Sequence, residues 1–440
     1  MAVLVVAGID PSGAAGLAMD LRVLSILGVY ATGVPTALTV QTPEKALSWQ
    51  GVSGDYLREA LPAVLSGLSV KVIKIGMLGT VENVLVLSRI LSEFSGTVIL
   101  DPVLSASSGL PLAERDLVPA IRRELLPRVT LFTPNLPEAE AFLGRPIRRG
   151  EEPEAVRELQ ALGPPAVLLK GGHTGGPRIR DFLGEGETLR TFERDRVPRD
   201  FRGTGCFLAS AVAGFLCQGL SLVEAVTRAE EFLTLGLLRA EVKGATAPEP
   251  SILVERLSEG RRVLEALEEA AEEFCRHPVR PLIPEVQTNL AYALPLARRV
   301  EEVAAFPGRI VAYGDSARPV GCPRFGASSH VARIVLSALR FDPARRAAMN
   351  IRYAEEFLRR AEALGLRVAR FSRTEEPEEV KRREGGTLSW AVTTVCRRLG
   401  FVPDLIADEG DLGKEPMIRI LARTPHEAVS LALRLLEIHL

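Results

Sequence analysis

A cysteine follows a Gly-Thr-Gly turn at positions 203 to 206 and stands at the head of an apolar stretch, Leu208 to Gly219, that reads as a buried helix. Glycines at a helix start let several backbone N–H groups converge, and the helix dipole adds its positive end, so an anion or a developing negative charge can be held there. A thiol in that field, Cys206, is expected to have a lowered pKa and to act as a base or charge-bearing partner beside a phosphoryl group in transfer. The same residues also suit a small buried cysteine beside a helix cap. The surroundings of the turn decide between the two.

Val3 to Ala7 is an unbroken apolar run of strand length that feeds Gly8-Ile9-Asp10-Pro11-Ser12-Gly13-Ala14-Ala15-Gly16 and then a helical pattern from Leu17 to Leu27. A strand, a glycine-rich loop and a helix in that order allow backbone to approach a small ligand closely. No Gly-Lys-Ser/Thr follows, so this is not a Walker A loop, and the glycine spacing misses the dinucleotide fingerprint. Further apolar runs lead into polar loops: Val98 to Leu100 into Asp101-Pro102-Val103, Val129 to Phe132 into Thr133-Pro134-Asn135, and Ala166 to Leu169 into Lys170-Gly171-Gly172-His173. In an open parallel sheet those strand ends form the ligand crevice.

The chain has 440 residues, 47% hydrophobic and 25% charged, enough for two or three domains with sizeable cores. A net charge of -1 gives no footprint for nucleic acid. The 5 cysteines form no CxxC pair and no signal segment is evident, so a reducing cytoplasmic setting is expected. No apolar run reaches the roughly 18 residues of a membrane span, and no membrane partner is expected. Arg256 to Cys275 reads as an amphipathic helix with Val263, Leu264, Leu267, Ala271 and Phe274 on its apolar face. It opens a second unit of mixed α/β pattern: a strand at Ile310 to Tyr313, helices at Val331 to Arg340 and Asn350 to Leu364, and a last helix from Pro425 to Leu436.

Taken in order, GIDPSGAAG, Gln41, GMLG at 76 to 79, DPV at 101 to 103, TPNLPEAE at 133 to 140, KGGH at 170 to 173 and GTGC at 203 to 206 resemble the hydroxymethylpyrimidine and phosphomethylpyrimidine kinases of thiamine biosynthesis, members of the ribokinase-like superfamily. The resemblance implies a three-layer α/β/α domain with a mostly parallel sheet over residues 1–258, using ATP and magnesium. It implies a pyrimidine pocket of Gly8, Asp20, Gln41, Met77 and Val103, where the Gln41 amide offers one donor and one acceptor to an aminopyrimidine edge. Met77 and Val103 would equally serve a plain core. Asn135 and Glu138 resemble an NxxE element that helps hold magnesium, with Asp101 grouped beside them; a turn followed by a helix cap is the other reading. Lys170 and Thr204 would bear on the nucleotide phosphates. Gly203, Gly205 and Cys206 would form the anion hole of a reaction that rests on positioning and charge. A cysteine in place of a carboxylate base suits an acceptor that is already an anionic phosphomonoester. Arg202, where the family often has His, and Phe207 depart from the pattern.

LIPEVQTN at 282 to 289, FPGRI at 306 to 310, FGASSHVAR at 325 to 333, AMNIRY at 348 to 353 and DLGKEPMI at 411 to 418 resemble the ThiN-type thiamine phosphate synthase domain, over residues 262–440. Condensation of hydroxymethylpyrimidine diphosphate with a thiazole phosphate needs positive groups on the departing diphosphate and a pocket that keeps water from the cationic centre. The resemblance puts Arg309 and His330 in those roles. Ser328, Ser329 and Lys414 are expected to contact substrate phosphates. A surface ion pair for Arg309 and a helix-cap neighbour for His330 are the plain alternatives. The second half could instead sense thiamine phosphate, and the first could be a pyridoxal-type vitamin kinase. The expected partners are small-molecule substrates, with no nucleic acid, and a homo-oligomer is implied by the resemblance.

Overall fold

The first strand, β1 (Ala2–Ile9), is apolar and buried from Ala2 to Ala7, as a strand covered by helices on each face must be. The computed structural model describes residues 1–42, 45–172, 175–372, 377, 386–410 and 415–437. Eight more strands join β1: β2 (Tyr30–Gln41), β3 (Ala46–Gly51), β4 (Val70–Ile75), β5 (Thr97–Leu100), β6 (Leu131–Phe132), β7 (Ala166–Leu169), β8 (Arg178–Glu185) and β9 (Thr188–Asp195). They form one sheet in the order β3-β2-β1-β4-β5-β6-β7-β8-β9. Strands β2 through β7 in that order run parallel, with β3, β8 and β9 antiparallel at the edges. The chain winds from β1 to β2 on one side and later to β4 on the other. Loops at the C-terminal ends therefore part at this switch point and leave a crevice.

Helices α1 (Gly16–Ile26), α2 (Gly54–Gly67), α3 (Val81–Leu91), α4 (Leu117–Glu124), α5 (Leu136–Leu143), α6 (Glu152–Gln160), α7 (Thr204–Cys217) and α8 (Leu222–Lys243) complete the first unit. Leu4 and Val6 of β1 pack with Leu57 and Leu61 of α2, Val84 and Leu87 of α3, Ile121 of α4, Phe142 of α5 and Leu159 of α6. Val3 and Val5 point the other way, to the face where α1 and α7 lie against the sheet. The result is a three-layer α/β/α arrangement. Helix α7 is buried all round from Cys206 to Phe215 because α1, α8 and the sheet enclose it, and its Ala209, Ala211, Ala213 and Gly214 let those neighbours approach.

The chain divides into Met1–Leu253 and Val254–Leu440. The division falls within α9 (Ile252–Cys275), slightly N-terminal to the expected 258/262 boundary. In the second unit, β10 (Leu290–Ala293), β11 (Val303–Ala305), β12 (Ile310–Tyr313), β13 (Ser316–Pro319), β14 (Arg324–Phe325), β15 (Ala347–Arg352), β16 (Val368–Phe371), β17 (Leu405–Asp408) and β18 (Met417–Ala422) alternate with α10 (Ser329–Leu339), α11 (Glu355–Ala363), α12 (Gly386–Leu399) and α13 (Pro425–Leu435). A sheet of order β14-β11-β10-β15-β18-β17-β16 is accompanied by the β12–β13 hairpin, and within the sheet only β16 and β17 pair in parallel. Period-two alternation splits its core. Leu290, Met349 and Ile420 face Val263, Leu267 and Phe274 of α9 and Phe357 of α11, whereas Ala291, Ala348 and Leu421 face Val331 and Val335 of α10 and Val392 of α12.

The expected helix at Asn350 to Leu364 is corrected by this sheet. Asn350, Ile351 and Arg352 continue β15 alongside β18, and the helix begins only at Glu355. Burial of Met349 and Ile351 on one face of a paired strand outweighs local helix propensity.

Candidate active sites

The C-terminal ends of β1, β4, β5 and β7, with the loops that follow them, line a cleft of about 360 Å3 that also takes in the turn before α7. Gly8, Gln41, Met77, Asp101, Val103, Asn135, Glu138, Lys170, Gly203, Thr204, Gly205 and Cys206, expected from sequence as site residues, all line it. Met77 packs in a small apolar cluster with Leu112 and Val103, and a Cβ at position 8 would come within 2.8 Å of its sulfur.

The turn before α7 needs its glycines for two different reasons. Gly203 is the N-cap with φ 70°, and any Cβ there would meet the Ala14 carbonyl oxygen at 1.9 Å. Gly205 has ordinary φ, but its Cβ would lie 3.0 Å from Lys170 Nζ and 3.8 Å from both carboxylate oxygens of Asp101. Backbone at this helix start thus approaches an ion pair directly.

That pair is close: Lys170 Nζ lies 2.5 Å from Asp101 Oδ1, and Thr133 Oγ1 donates to the same oxygen at 3.4 Å. Burial works to raise the Asp101 pKa, but Lys170 and Lys74 overcome it and hold the carboxylate below its usual range. Asp101 Oδ2 is buried with no hydrogen-bond partner. Glu138 is the opposite case. Burial pushes its carboxyl up to about 7, with Lys170 opposing and Asp101 reinforcing the shift.

Asn135 and Glu138 form the capping box of α5: Asn135 Oδ1 accepts from the Glu138 N–H at 2.9 Å and Glu138 Oε2 accepts from the Asn135 N–H at 2.8 Å. The cap reading of this NxxE pair therefore holds in the structure, and one oxygen of Glu138 lies outside the box. Among the described residues no group of three or more His, Cys, Asp and Glu is arranged to hold a metal. The partnerless Asp101 oxygen and Glu138 fit a magnesium ion of the kind held by one or two carboxylates and completed by substrate phosphates.

Two expectations are corrected. Asp20 is absent from the cleft wall; it is wholly buried behind it, where both carboxylate oxygens bind Lys74 Nζ at 2.8 and 3.0 Å and Ser210 Oγ donates at 2.7 Å. Lys74, which sequence reasoning missed, lines the cleft in its place. Cys206 has no lowered pKa either: burial pushes the thiol up to about 12, with Lys74 opposing and Asp20 and Asp101 adding to the rise. Loss of hydration outweighs the helix dipole, so the thiol is neutral near pH 7.

Arg202 and Asp10 were also missed as site residues. The Arg202 guanidinium reaches across the cleft to the Thr42 carbonyl at 2.7 Å, to Asp10 Oδ2 at 3.3 Å and to Gln41 Oε1. Gln41 Nε2 in turn donates to Thr39 Oγ1 at 2.7 Å.

In the second unit Arg309, Ser328, Ser329 and His330 converge on a shallow cavity of about 300 Å3, with Asn289, Phe306, Gly308 and Ala327. Ser328 is the N-cap of α10 and Ser329 and His330 begin its first turn. Arg309 is held at φ 71°, a left-handed conformation rare for a residue with a side chain. Its guanidinium donates to the Val286 carbonyl. The N–H groups of Glu285 and Val286 donate to the Glu415 carboxylate at 2.8 and 3.0 Å. Buried Asn289, another residue missed, donates to the Phe306 carbonyl at 3.0 Å and accepts from the Phe306 N–H at 3.1 Å, fixing the start of the loop that carries Arg309. Lys414 lies outside the described residues. Among the described residues no helix is long and apolar enough to cross a membrane.

Residues 10–248 match the family described as Phosphomethylpyrimidine kinase, and residues 266–434 match Thiamine-phosphate synthase ThiN. The bifunctional thiamine biosynthesis protein ThiDN of Methanocaldococcus jannaschii is 30% identical over 434 residues, covering 98% of this chain and 97% of that one. The hydroxymethylpyrimidine/phosphomethylpyrimidine kinase of Rhizobium meliloti is 38% identical over 240 residues, 54% of this chain and 90% of the kinase. In fold, the ADP complex of Bacillus subtilis pyridoxal kinase aligns with a TM-score of 0.51 at 27% identity, covering 57% of this chain and 96% of that structure. Similarity that runs through both units makes this chain a member of the bifunctional thiamine biosynthesis family in which a phosphomethylpyrimidine kinase of ribokinase-like fold precedes a ThiN-type thiamine-phosphate synthase.

Proposed function

We propose that the first unit phosphorylates hydroxymethylpyrimidine and then its monophosphate with ATP, and that the second condenses the diphosphate with hydroxyethylthiazole phosphate to thiamine phosphate. The observation that carries the reading is one cleft in which Gln41, Met77 and Val103 share a wall with Lys170, Asp101 and the Gly203–Cys206 turn. The first group suits a small aminopyrimidine. The second suits a triphosphate.

In the second phosphorylation a non-bridging oxygen of the acceptor phosphate attacks the γ-phosphorus, and the bond to ADP breaks with its electron pair. Such an acceptor brings no proton that must be removed first, so a neutral Cys206 is no obstacle. In the first, a loose transition state lets the hydroxyl proton leave late, onto the transferred phosphoryl oxygens. The N–H groups at the head of α7 and Lys170 would meet the moving charge. Asp101 and Glu138 would hold magnesium, which when bound offsets the charge of the phosphates.

In the condensation the bond from the pyrimidine methylene carbon to the diphosphate oxygen breaks, and the thiazole nitrogen lone pair closes the new C–N bond. Arg309 and His330 would hold the leaving diphosphate, and Ser328 and Ser329, at the start of α10, the thiazole phosphate.

The test supplies the full chain with hydroxymethylpyrimidine, thiazole phosphate, ATP and magnesium beside an Arg309→Ala/His330→Ala variant. Thiamine phosphate from the intact chain, and pyrimidine diphosphate accumulating in the variant, is the expected result. Accumulation in both would leave only the kinase and turn the second unit into a sensor. Phosphorylation of pyridoxal in preference to the pyrimidine would overturn the kinase assignment.

A further inference from the structure

We propose that Arg202 is a latch that senses the phosphate of the acceptor: it donates to the Gln41 carbonyl oxygen and exchanges that contact for the phosphate of the monophosphorylated pyrimidine. The inference rests on the kinase reading above and deepens it, since it concerns which of two acceptors the cleft prefers.

The three cations that line this cleft among the described residues are held very differently. Lys74 binds both oxygens of Asp20 in a pocket with no solvent exposure. Lys170 is 2.5 Å from Asp101 and also faces Glu138. Among the contacts of Arg202, by contrast, are two neutral carbonyl oxygens, those of Thr42 and Gln41, with Asp10 at the longer distance of 3.3 Å. Neutral acceptors give way to a dianionic phosphate, and the planar guanidinium can meet it with two parallel N–H bonds. The position suits the role. Arg202 immediately precedes Gly203, the N-cap of α7, so it joins the anion-binding turn to Gln41.

Gln41 gives the contact its consequence. Its Nε2 is committed to Thr39 Oγ1 at 2.7 Å, and Thr39 Oγ1 donates in turn to the Ile9 carbonyl at 2.8 Å, so the amide is oriented with Oε1 toward Arg202. An aminopyrimidine that donates to Oε1 must compete with the guanidinium. An acceptor with a phosphate draws Arg202 away and frees that oxygen, whereas the hydroxyl of the plain alcohol offers only another neutral acceptor. The monophosphate is thereby favoured over the alcohol.

The test measures kcat and KM of the full chain for both acceptors with ATP and magnesium, in the native protein and in Arg202→Gln and Arg202→Lys. Arg202→Gln is expected to raise KM for the monophosphate and to lower the ratio of kcat/KM, monophosphate over alcohol, by tenfold or more, with Arg202→Lys recovering part of it. The ratio compares two substrates on one protein, so a general loss of folded enzyme does not move it. A native chain that phosphorylates both acceptors, with a ratio unchanged in both variants, overturns the latch alone. A native chain that phosphorylates neither overturns the kinase reading together with it.

Discussion

Lys74 Nζ lies 2.8 and 3.0 Å from the two carboxylate oxygens of Asp20, and neither side chain has any solvent exposure. Burial works against the charge on Lys74, but Asp20 keeps it protonated, above the ordinary lysine range. A buried pair is weak evidence of net stabilisation, yet removing one member strands the other. Lys74→Met should therefore destabilise the first unit by about 3–5 kcal/mol, and Lys74→Met/Asp20→Leu should recover most of it. Urea unfolding followed by Trp49 fluorescence, in a chain with Trp390→Phe, isolates the first unit. A loss below about 1 kcal/mol in the single variant, the range of an exposed pair, would show that Asp20 finds another partner.

A neutral Cys206 makes a chemical prediction. Its thiol is buried, with a pKa pushed up to about 12 by burial, whereas Cys322 is exposed. Only the thiolate alkylates readily. Iodoacetamide at pH 8 should modify Cys322 at least a hundredfold faster than Cys206, as followed by peptide mass spectrometry. Fast modification of Cys206 with an inflection below pH 8 would return it to the role of a thiolate base.

The strand ends and the glycine turn were legible in the sequence because parallel strands buried on both faces read as apolar runs, and the polar residues that follow stand at the sheet edge. Gly203 and Lys170 were found that way. Lys74 was not, since Val70-Lys71-Val72-Ile73-Lys74-Ile75 presents two lysines alike, and the carboxylate that accounts for the buried one lies 54 positions away. Arg202 was seen only as a departure from a family pattern, because its link to Gln41 spans 161 positions. The sign of the Cys206 shift was misread because a local feature, the helix start, was visible and the desolvation around it was not. In the second unit the strand at Ala347–Arg352 reads in the sequence partly as a helix, since pairing with β18 leaves no local mark on Asn350.

Arg309 separates backbone strain from chemistry. Its φ of 71° costs any residue with a Cβ roughly 1–2 kcal/mol. Arg309→Ala keeps that strain and Arg309→Gly relieves it, so the glycine variant should be the more stable by about 1 kcal/mol. Both should lose thiamine phosphate formation, because both lose the guanidinium. Denaturation of the second unit followed by Trp390 in a Trp49→Phe chain, beside the synthase assay, reads the two effects separately. Synthase activity surviving in the glycine variant would mean that the loop shape, and not the charge, is what the site requires.

Behind the loop that carries Lys170, two carboxyl groups share a buried space. Asp181 Oδ1 accepts the Gly171 N–H at 2.6 Å, and Glu230 Oε2 accepts from Arg194 Nε at 3.0 Å. Asp181 Oδ2 and Glu230 Oε1 are both buried without a hydrogen-bond partner. Burial, and next to it Asp181, pushes the Glu230 pKa well above the usual carboxylate range, so Glu230 keeps its proton above the pH at which an ordinary glutamate loses it. An acid with a raised folded pKa favours the native state below its unfolded pKa, and that contribution is lost as pH rises toward the folded value. Stability of the first unit should thus fall as pH rises from the ordinary glutamate range. Glu230→Gln supplies a permanent N–H donor in place of the Glu230 proton and should flatten the slope. Urea midpoints at a series of pH values from 5 to 9, read by Trp49 fluorescence in the Trp390→Phe chain, make the comparison. Equal slopes in the two proteins would mean that the pH dependence comes from other groups and that the loop anchored through Gly171 does not depend on this proton.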